Sequence, residues 1–378
     1  MTTSAPSYLE QLSFDGWDWS TIQREMEDDE RFLSRSFRLA LPGPSPRVAS
    51  VFAGCGGMDL GLSWAGYDLV FANELDLRAT ETYEANLGLP VRKGPIEDID
   101  PASIPDHDLL VGGFPCQPFS YAGKRQGLRD DRGQLFFSLI DILDAKRPSH
   151  FLFENVKGLL THRGRETFRS VTWALHDAGY DLSHAVLNAS HFGVPQRRER
   201  VFLVGSRRDI GKGFRFPEFR LPARPVRPAI EDLIEAVSAP NNEPMRHTER
   251  IRARYQYIPQ GGSMADVPPE HQQRKRGEPD AVSGKRSTQS YHRLREDQPC
   301  PTICAMFQAH FIHYSQDRNL TAREAARLQS FPDDFVFAGK RTVMSWDKEL
   351  SQYAQIGNAV PPRMGYLLGR GIYEQLLR

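Results

Sequence analysis

The feature that most constrains this chain is an alternation of element types across residues 47–205. Short apolar runs at 48–53, 69–72, 108–111, 151–155, 182–188 and 201–205 read as strands. Between them lie stretches of helical pattern at 58–65, 78–86, 135–146 and 166–178. Such alternation is the signature of an α/β fold built on a parallel sheet. In the last of these helices Phe168, Val171, Leu175 and Ala178 recur at helical spacing, which predicts one face packed on the sheet.

The flanking regions differ in character. Residues 1–46 carry eight acids and four arginines, a net of −4, and end in the breaker run LPGPSP; one helix is predicted across 21–39. From about residue 206 to about His310, Pro, Gly, Arg and Gln dominate and periodicity fades, which suits either a second domain of irregular β structure or a long functional insertion. Within it, 246–295 holds eleven Lys+Arg and five Asp+Glu, a net of +6, interleaved with Tyr255, Tyr257, Tyr291 and His292. Basic and aromatic residues mixed in this way suit a nucleic-acid face. Helical pattern returns at Thr321-Ala-Arg-Glu324, a capping box, and again across 362–377.

Composition excludes several classes. The 378 residues suffice for about two domains and a sizeable core, and a mean hydropathy of −0.51 with no long apolar run excludes a membrane span. No basic segment followed by an apolar one opens the chain, so a cytoplasmic location is expected. The four cysteines are too few for a disulfide scaffold, and their spacing gives no zinc site; no metal is expected. The 48 basic and 48 acidic residues sum to zero, which by itself speaks against a nucleic-acid partner.

Four segments carry candidate chemistry. The first strand runs into Phe52-Ala-Gly-Cys-Gly-Gly57, and the second ends in Asn73-Glu74. A glycine turn lets a ligand approach the backbone, and an acid about twenty residues on can hold ribose hydroxyls. A dinucleotide site would want glycine where Asp59 stands, so an adenosyl ligand without pyrophosphate fits better. The third strand leads into GGFPCQPFS at 112–120, where Cys116 sits in a proline-stiffened loop at a strand's carboxyl end, a position suited to a nucleophile. Glu154, in FENV, ends another strand and is a candidate proton donor if burial raises its pKa. In QRRER at 196–200, strand alternation would send Arg198 and Arg200 to one face.

Taken together and in this order, these segments resemble the DNA cytosine-5 methyltransferase family. RGQLF at 132–136, TAREAARLQSFP at 321–332, QIGNAVP at 355–361, IPQGG at 258–262, YHRL at 291–294 and PTI at 301–303 extend the likeness. The resemblance implies a Rossmann-like S-adenosylmethionine-dependent methyltransferase fold with a smaller, mainly irregular or β target-recognition domain. It implies an N-terminal extension at 1–46, a first catalytic part at 47–205, a recognition domain at 206–319 and a return segment at 320–378. It assigns catalysis to Cys116, Glu154, Asn155, Arg198 and Arg200. The cofactor pocket would comprise Phe52, Ala53, Gly54, Cys55, Gly56, Gly57, Glu74, Leu75, Ile96, Pro115, Leu135, Asn358, Ala359 and Val360. Gln117, Ser120, Arg293, Thr302 and Ile303 would meet DNA.

The partner implied is double-stranded DNA, with a flipped-out cytosine as target and a cognate restriction or defence system as company; the protein itself is expected to be a monomer. Two other readings share the motifs, a tRNA cytosine methyltransferase and a DNA-binding homologue without activity. The chain departs from the family pattern at Ser50, where members often carry Asp, and at Pro95, where they carry an Asp that contacts adenine. Glu97, Asp98 or no residue at all takes that second contact.

Overall fold

The computed structural model describes residues 18–114, 134–236, 238–272, 274–275, 278–282, 291–305, 311–344 and 347–378. Its centre is a sheet of seven strands: β1 (Arg47–Val51), β2 (Asp68–Glu74), β3 (Arg92–Lys93), β4 (Leu109–Gly112), β5 (His150–Val156), β6 (Tyr180–Asn188) and β7 (Glu199–Arg207). Their order is β3-β2-β1-β4-β5-β7-β6. The first five pair in parallel, whereas β7 runs antiparallel to both β5 and β6. The all-parallel expectation is corrected there. The link 189–198 between β6 and β7 is shorter than the roughly twelve residues a parallel crossover needs, so the chain can only turn back.

Helices cover both faces of the sheet. On one face α4 (Gln134–Lys146) and α5 (Glu166–Asp177) bury Leu139, Leu143, Val171 and Leu175 against Leu110, Phe151 and Phe153. The spacing of Val171 and Leu175 predicted this face. On the other, α2 (Gly57–Trp64) and the C-terminal α10 (Pro362–Ile372) bury Leu60, Leu62, Leu367 and Leu368 with Val48, Val111 and Leu152. A Cβ added to Gly61 would lie 2.1 Å from the Pro362 carbonyl oxygen, and one on Gly365 would lie 2.5 Å from that of Met58. The two helices therefore meet backbone to backbone. The return segment also contains α8 (Ala322–Leu328), headed by the expected Thr321 and Glu324 capping box, and α9 (Gln352–Asn358).

The N-terminal segment packs on this second face. The predicted helix is shorter than expected: α1 (Ser20–Glu27) stops where the Asp28 carboxylate accepts the Glu30 N–H and starts a tight turn. Ile22 and Met26 are fully buried, and Phe32 lies edge-on to Trp64 and Tyr366. Its acids pair inward, Glu25 with Arg370 at 3.0 Å and Asp29 with Arg363 at 2.7 Å.

Residues 206–319 are irregular in most of their described length. They carry α6 (Val226–Ile230), α7 (Glu249–Gln256) and a small ribbon of β8 (Arg274–Lys275) with β9 (Glu278–Val282). A satellite core gathers Tyr255, Ile258, Met264, Val267 and Ile312. Tyr255, expected on a nucleic-acid face, is instead buried there, with its hydroxyl donating to Asn319 Oδ1 at 2.9 Å. Among the described residues no helix is long and apolar enough to cross a membrane.

The α2–α10 crossing yields a first prediction. Gly61→Ala is expected to lower the unfolding free energy by about 2 kcal/mol in urea denaturation, because the added methyl has no space to enter.

Candidate active site

A cleft of about 740 Å³ runs along the carboxyl ends of β1, β2, β4 and β5. Its size falls within the roughly 300–1,000 Å³ of small-molecule sites. One wall is the turn after β1. Phe52 adopts a positive φ of 53°, Gly54 57° and Gly56 90°, so the backbone curls into a tight turn whose Ala53, Gly54 and Gly56 N–H groups bond to the Asn73 carbonyl, Glu74 Oε2 and the Ala53 carbonyl. Gly57 starts α2 directly beneath the return segment, where a Cβ would sit 2.3 Å from the Val360 carbonyl oxygen. That contact brings Asn358, Ala359 and Val360 into the cleft.

The far end of this wall is set by Glu74. Its Oε2 accepts the Gly54 N–H at 2.8 Å and its Oε1 the Asp76 N–H at 2.9 Å, which locks the carboxylate between turn and strand end. Burial raises its pKa, against those backbone bonds. Leu75, exposed, and Ile96 line the same end, with Pro95 and Glu97 beside them. Asp98 does not line the cleft, which leaves Glu97 as the acid placed near Pro95.

The other end carries the candidate catalytic groups. β5 and β7 pair with Val156 opposite Arg200, so Glu154 and Arg200 are diagonal neighbours on one face. Arg200 Nε lies 3.0 Å from Glu154 Oε1. Burial pushes the Glu154 carboxyl above the ordinary range, opposed by Arg198 and Arg200. Arg198 is fully enclosed and donates to the Ile303 carbonyl at 3.0 Å; burial, reinforced by Arg200, brings its pKa down to about 9. Two cations beside a carboxyl that resists ionisation make a site able to donate a hydrogen bond or proton and to stabilise negative charge. Asn155 points to the other side, donating to the Phe114 carbonyl at 2.8 Å and so tying β5 to the loop that leads to Cys116.

The structure therefore gathers Glu154, Asn155, Arg198 and Arg200 with Phe52, Ala53, Gly54, Cys55, Gly57, Glu74, Leu75, Ile96, Leu135 and the 358–360 segment around one cleft. Gly56 lies behind the wall, packed on Leu87 and Tyr83. Pro115, Cys116, Gln117 and Ser120 lie outside the described residues.

Two DNA assignments are corrected. Arg293 is buried, and its guanidinium donates to the carbonyls of Ile258, His313, Gln316 and Tyr255 and to Asp317. All its donors are used in bracing loops. Ile303 is wholly buried, and its backbone holds Gln196 and Arg198, so its side chain belongs to the core. Thr302 is half-buried, with its hydroxyl donating to the Arg197 carbonyl at 2.6 Å.

Sequence reasoning missed the floor of the cleft. Ser50 Oγ lies 2.9 Å from Asp59 Oδ2, both buried, and burial pushes the Asp59 carboxyl up to about 7. The signal was an acid standing where a third glycine was sought. Cys304 and Ala305, beside the PTI segment, also line the cleft.

Sheet order and cleft define a Rossmann-like methyltransferase architecture. A family model for C-5 cytosine-specific DNA methylases matches residues 46–374. The chain is 38% identical over 369 residues to the Type II methyltransferase M.DdeI of Desulfomicrobium norvegicum, spanning 86% of this chain and 88% of that protein. It is 39% identical over 331 residues to the Type II methyltransferase M.NgoFVII of Neisseria gonorrhoeae, spanning 84% of each. A crystal structure described as a DNA modification methyltransferase encoded in an Escherichia coli prophage superposes with a TM-score of 0.66 at 23% identity, over 88% of this chain and 100% of that one. The chain belongs to the C-5 cytosine-specific DNA methylase family. It is a DNA cytosine-5 methyltransferase.

Two outcomes are expected from the cleft acids. Glu154→Gln keeps the shape but not the proton, and is expected to slow methylation about 10²- to 10⁴-fold in a transfer assay. Asp59 titrates from 3.8 when unfolded to about 7 when folded, so the stability it contributes is present at low pH and lost as pH rises through that window. Asp59→Asn, followed by denaturation at several pH values, is expected to match wild type near pH 4. It should then gain on it by up to about 1.4 kcal/mol per pH unit towards neutrality.

Proposed function

We propose that this enzyme methylates a cytosine flipped out of double-stranded DNA through a covalent bond to Cys116, with S-adenosylmethionine as methyl donor. The observation that carries the reading is the Glu154–Arg200 pair, backed by Arg198, at one end of a cleft whose other end is a glycine turn closed by Glu74. The lining fits the cofactor: Glu74 offers acceptors for ribose hydroxyls, and Leu75 and Ile96 an apolar surface for adenine. Glu97 is the candidate partner for the adenine amino group.

The Cys116 thiolate adds to C6, and the C5–C6 π electrons move to C5. Glu154 shares or donates its proton at N3, which removes charge from the ring, while Arg200 stabilises the O2 side. S-adenosylmethionine held by Glu74, Leu75 and Ile96 would supply the sulfonium methyl that C5 takes up, with neutral S-adenosylhomocysteine as the leaving group. Loss of the C5 proton to a base then expels the Cys116 thiolate and restores the ring. The target must leave the helical stack for any of this, at a cost of a few kcal/mol.

The exposed Arg246, Arg250 and Arg252 support a phosphate-contacting role for 206–319 as a recognition domain. The Type II names of the relatives support a cognate restriction or defence system, and the enzyme acts as a cytoplasmic monomer in this reading. Purified protein incubated with labelled S-adenosylmethionine and duplex DNA is expected to transfer label to cytosine. Cys116→Ser should abolish transfer, and equal transfer by that variant would overturn the mechanism.

A further inference from the structure

We propose that Asp59, held by Ser50 beneath the Gly54–Gly57 turn, is the buried counter-charge for the cationic cofactor and gives up its proton when that cofactor binds. This rests on S-adenosylmethionine being the methyl donor.

The acids lining the described cleft are Asp59, Glu74, Glu97 and Glu154. Glu154 faces Arg200, both oxygens of Glu74 take backbone N–H groups, and Glu97 is exposed at the rim. Asp59 differs from all three. It is 1% exposed, one oxygen takes the Ser50 hydroxyl, and the other has no hydrogen-bond partner among the described residues.

No cation faces it. From α3 (Leu77–Leu87) comes the Tyr83 hydroxyl, which makes no standard-length hydrogen bond to it, and from the turn the Cys55 thiol, itself pushed up to about 12 by burial. From β2, Glu74 adds a further negative group near Cys55. Arg363 and Arg370 of α10 are turned away to Asp29 and Glu25.

A carboxyl buried without a positive partner resists ionisation and keeps its proton near neutrality, in line with its pKa of about 7. A ligand bearing both an ammonium and a sulfonium charge supplies the missing positive field. Binding then favours the carboxylate, a proton leaves to solvent, and affinity rises with pH until the free protein has itself ionised. After methyl transfer the sulfur is neutral, so the product holds Asp59 ionised less strongly.

The test is calorimetry of S-adenosylmethionine binding in two buffers of different ionisation enthalpy, between about pH 6 and 8. Wild type is expected to release protons on binding, most near neutrality, and to release fewer with S-adenosylhomocysteine. Ser50→Ala removes the hydrogen bond that favours the carboxylate and is expected to move the release to higher pH. Asp59→Asn is expected to abolish the release and weaken S-adenosylmethionine binding about tenfold. Methylthioadenosine, which carries neither cation, is expected to bind wild type and Asp59→Asn alike, without proton release. Binding of S-adenosylmethionine to wild type with no proton release, or an unchanged release in Asp59→Asn, would overturn this proposal and leave the cofactor standing. No binding to wild type would overturn the cofactor and the proposal together.

Discussion

The backbone contact between α2 and the C-terminal return segment is the constraint on which the rest of the molecule depends. Gly57 touches Val360 and Gly61 touches Pro362, at distances that no side chain could share. This pins one wall of the cleft, the turn after β1, to another supplied some three hundred residues later in the chain. Gln355 secures the junction, accepting the Thr82 hydroxyl at 2.6 Å and donating to the Ala338 carbonyl at 3.1 Å. The N-terminal segment closes the outside of α10, with Trp19 filling the space that a side chain at Gly371 would need. Three separated stretches of sequence thus form one packed layer, where small changes of volume are felt because interiors are close-packed.

Within that frame the cleft holds two buried acids and one half-buried one, in three different environments. Glu74 is satisfied by backbone N–H groups and acts as a fixed acceptor. Glu154 sits between burial, which favours its proton, and two arginines, which favour its charge. Asp59 has burial and the Ser50 hydroxyl, with no cation beside it among the described residues. The same functional group meets three different electrostatic settings because solvent and neighbours differ, not because the residue does.

Much of this was legible in the sequence. The apolar runs located β1, β2, β4, β5, β6 and β7, since strands covered on both faces must be continuously apolar. The placing of the glycine turn, Glu74, Glu154, Arg198 and Arg200 along one cleft was legible because all lie at or beside strand ends. Arg293, Ile303 and Tyr255 were misplaced. In a region with little periodicity, nothing local distinguishes an arginine that braces loop carbonyls from one that meets phosphate. The zero net charge was similarly opaque, since Glu25 and Asp29 of the acidic N-terminal segment are spent on internal arginines.

The sequence by itself determined the type and order of the elements, the turn that approaches a ligand, and the residue kinds that the chemistry demands. These are local properties, set by periodicity and by the few conformations open to glycine and proline. Only the tertiary structure decided that β7 runs backwards, which sets Arg200 diagonally from Glu154, and that Asp59 is sealed beneath the turn against Ser50. Both depend on which distant residues share a small volume. Burial and field there are sums over neighbours that no single stretch of chain contains.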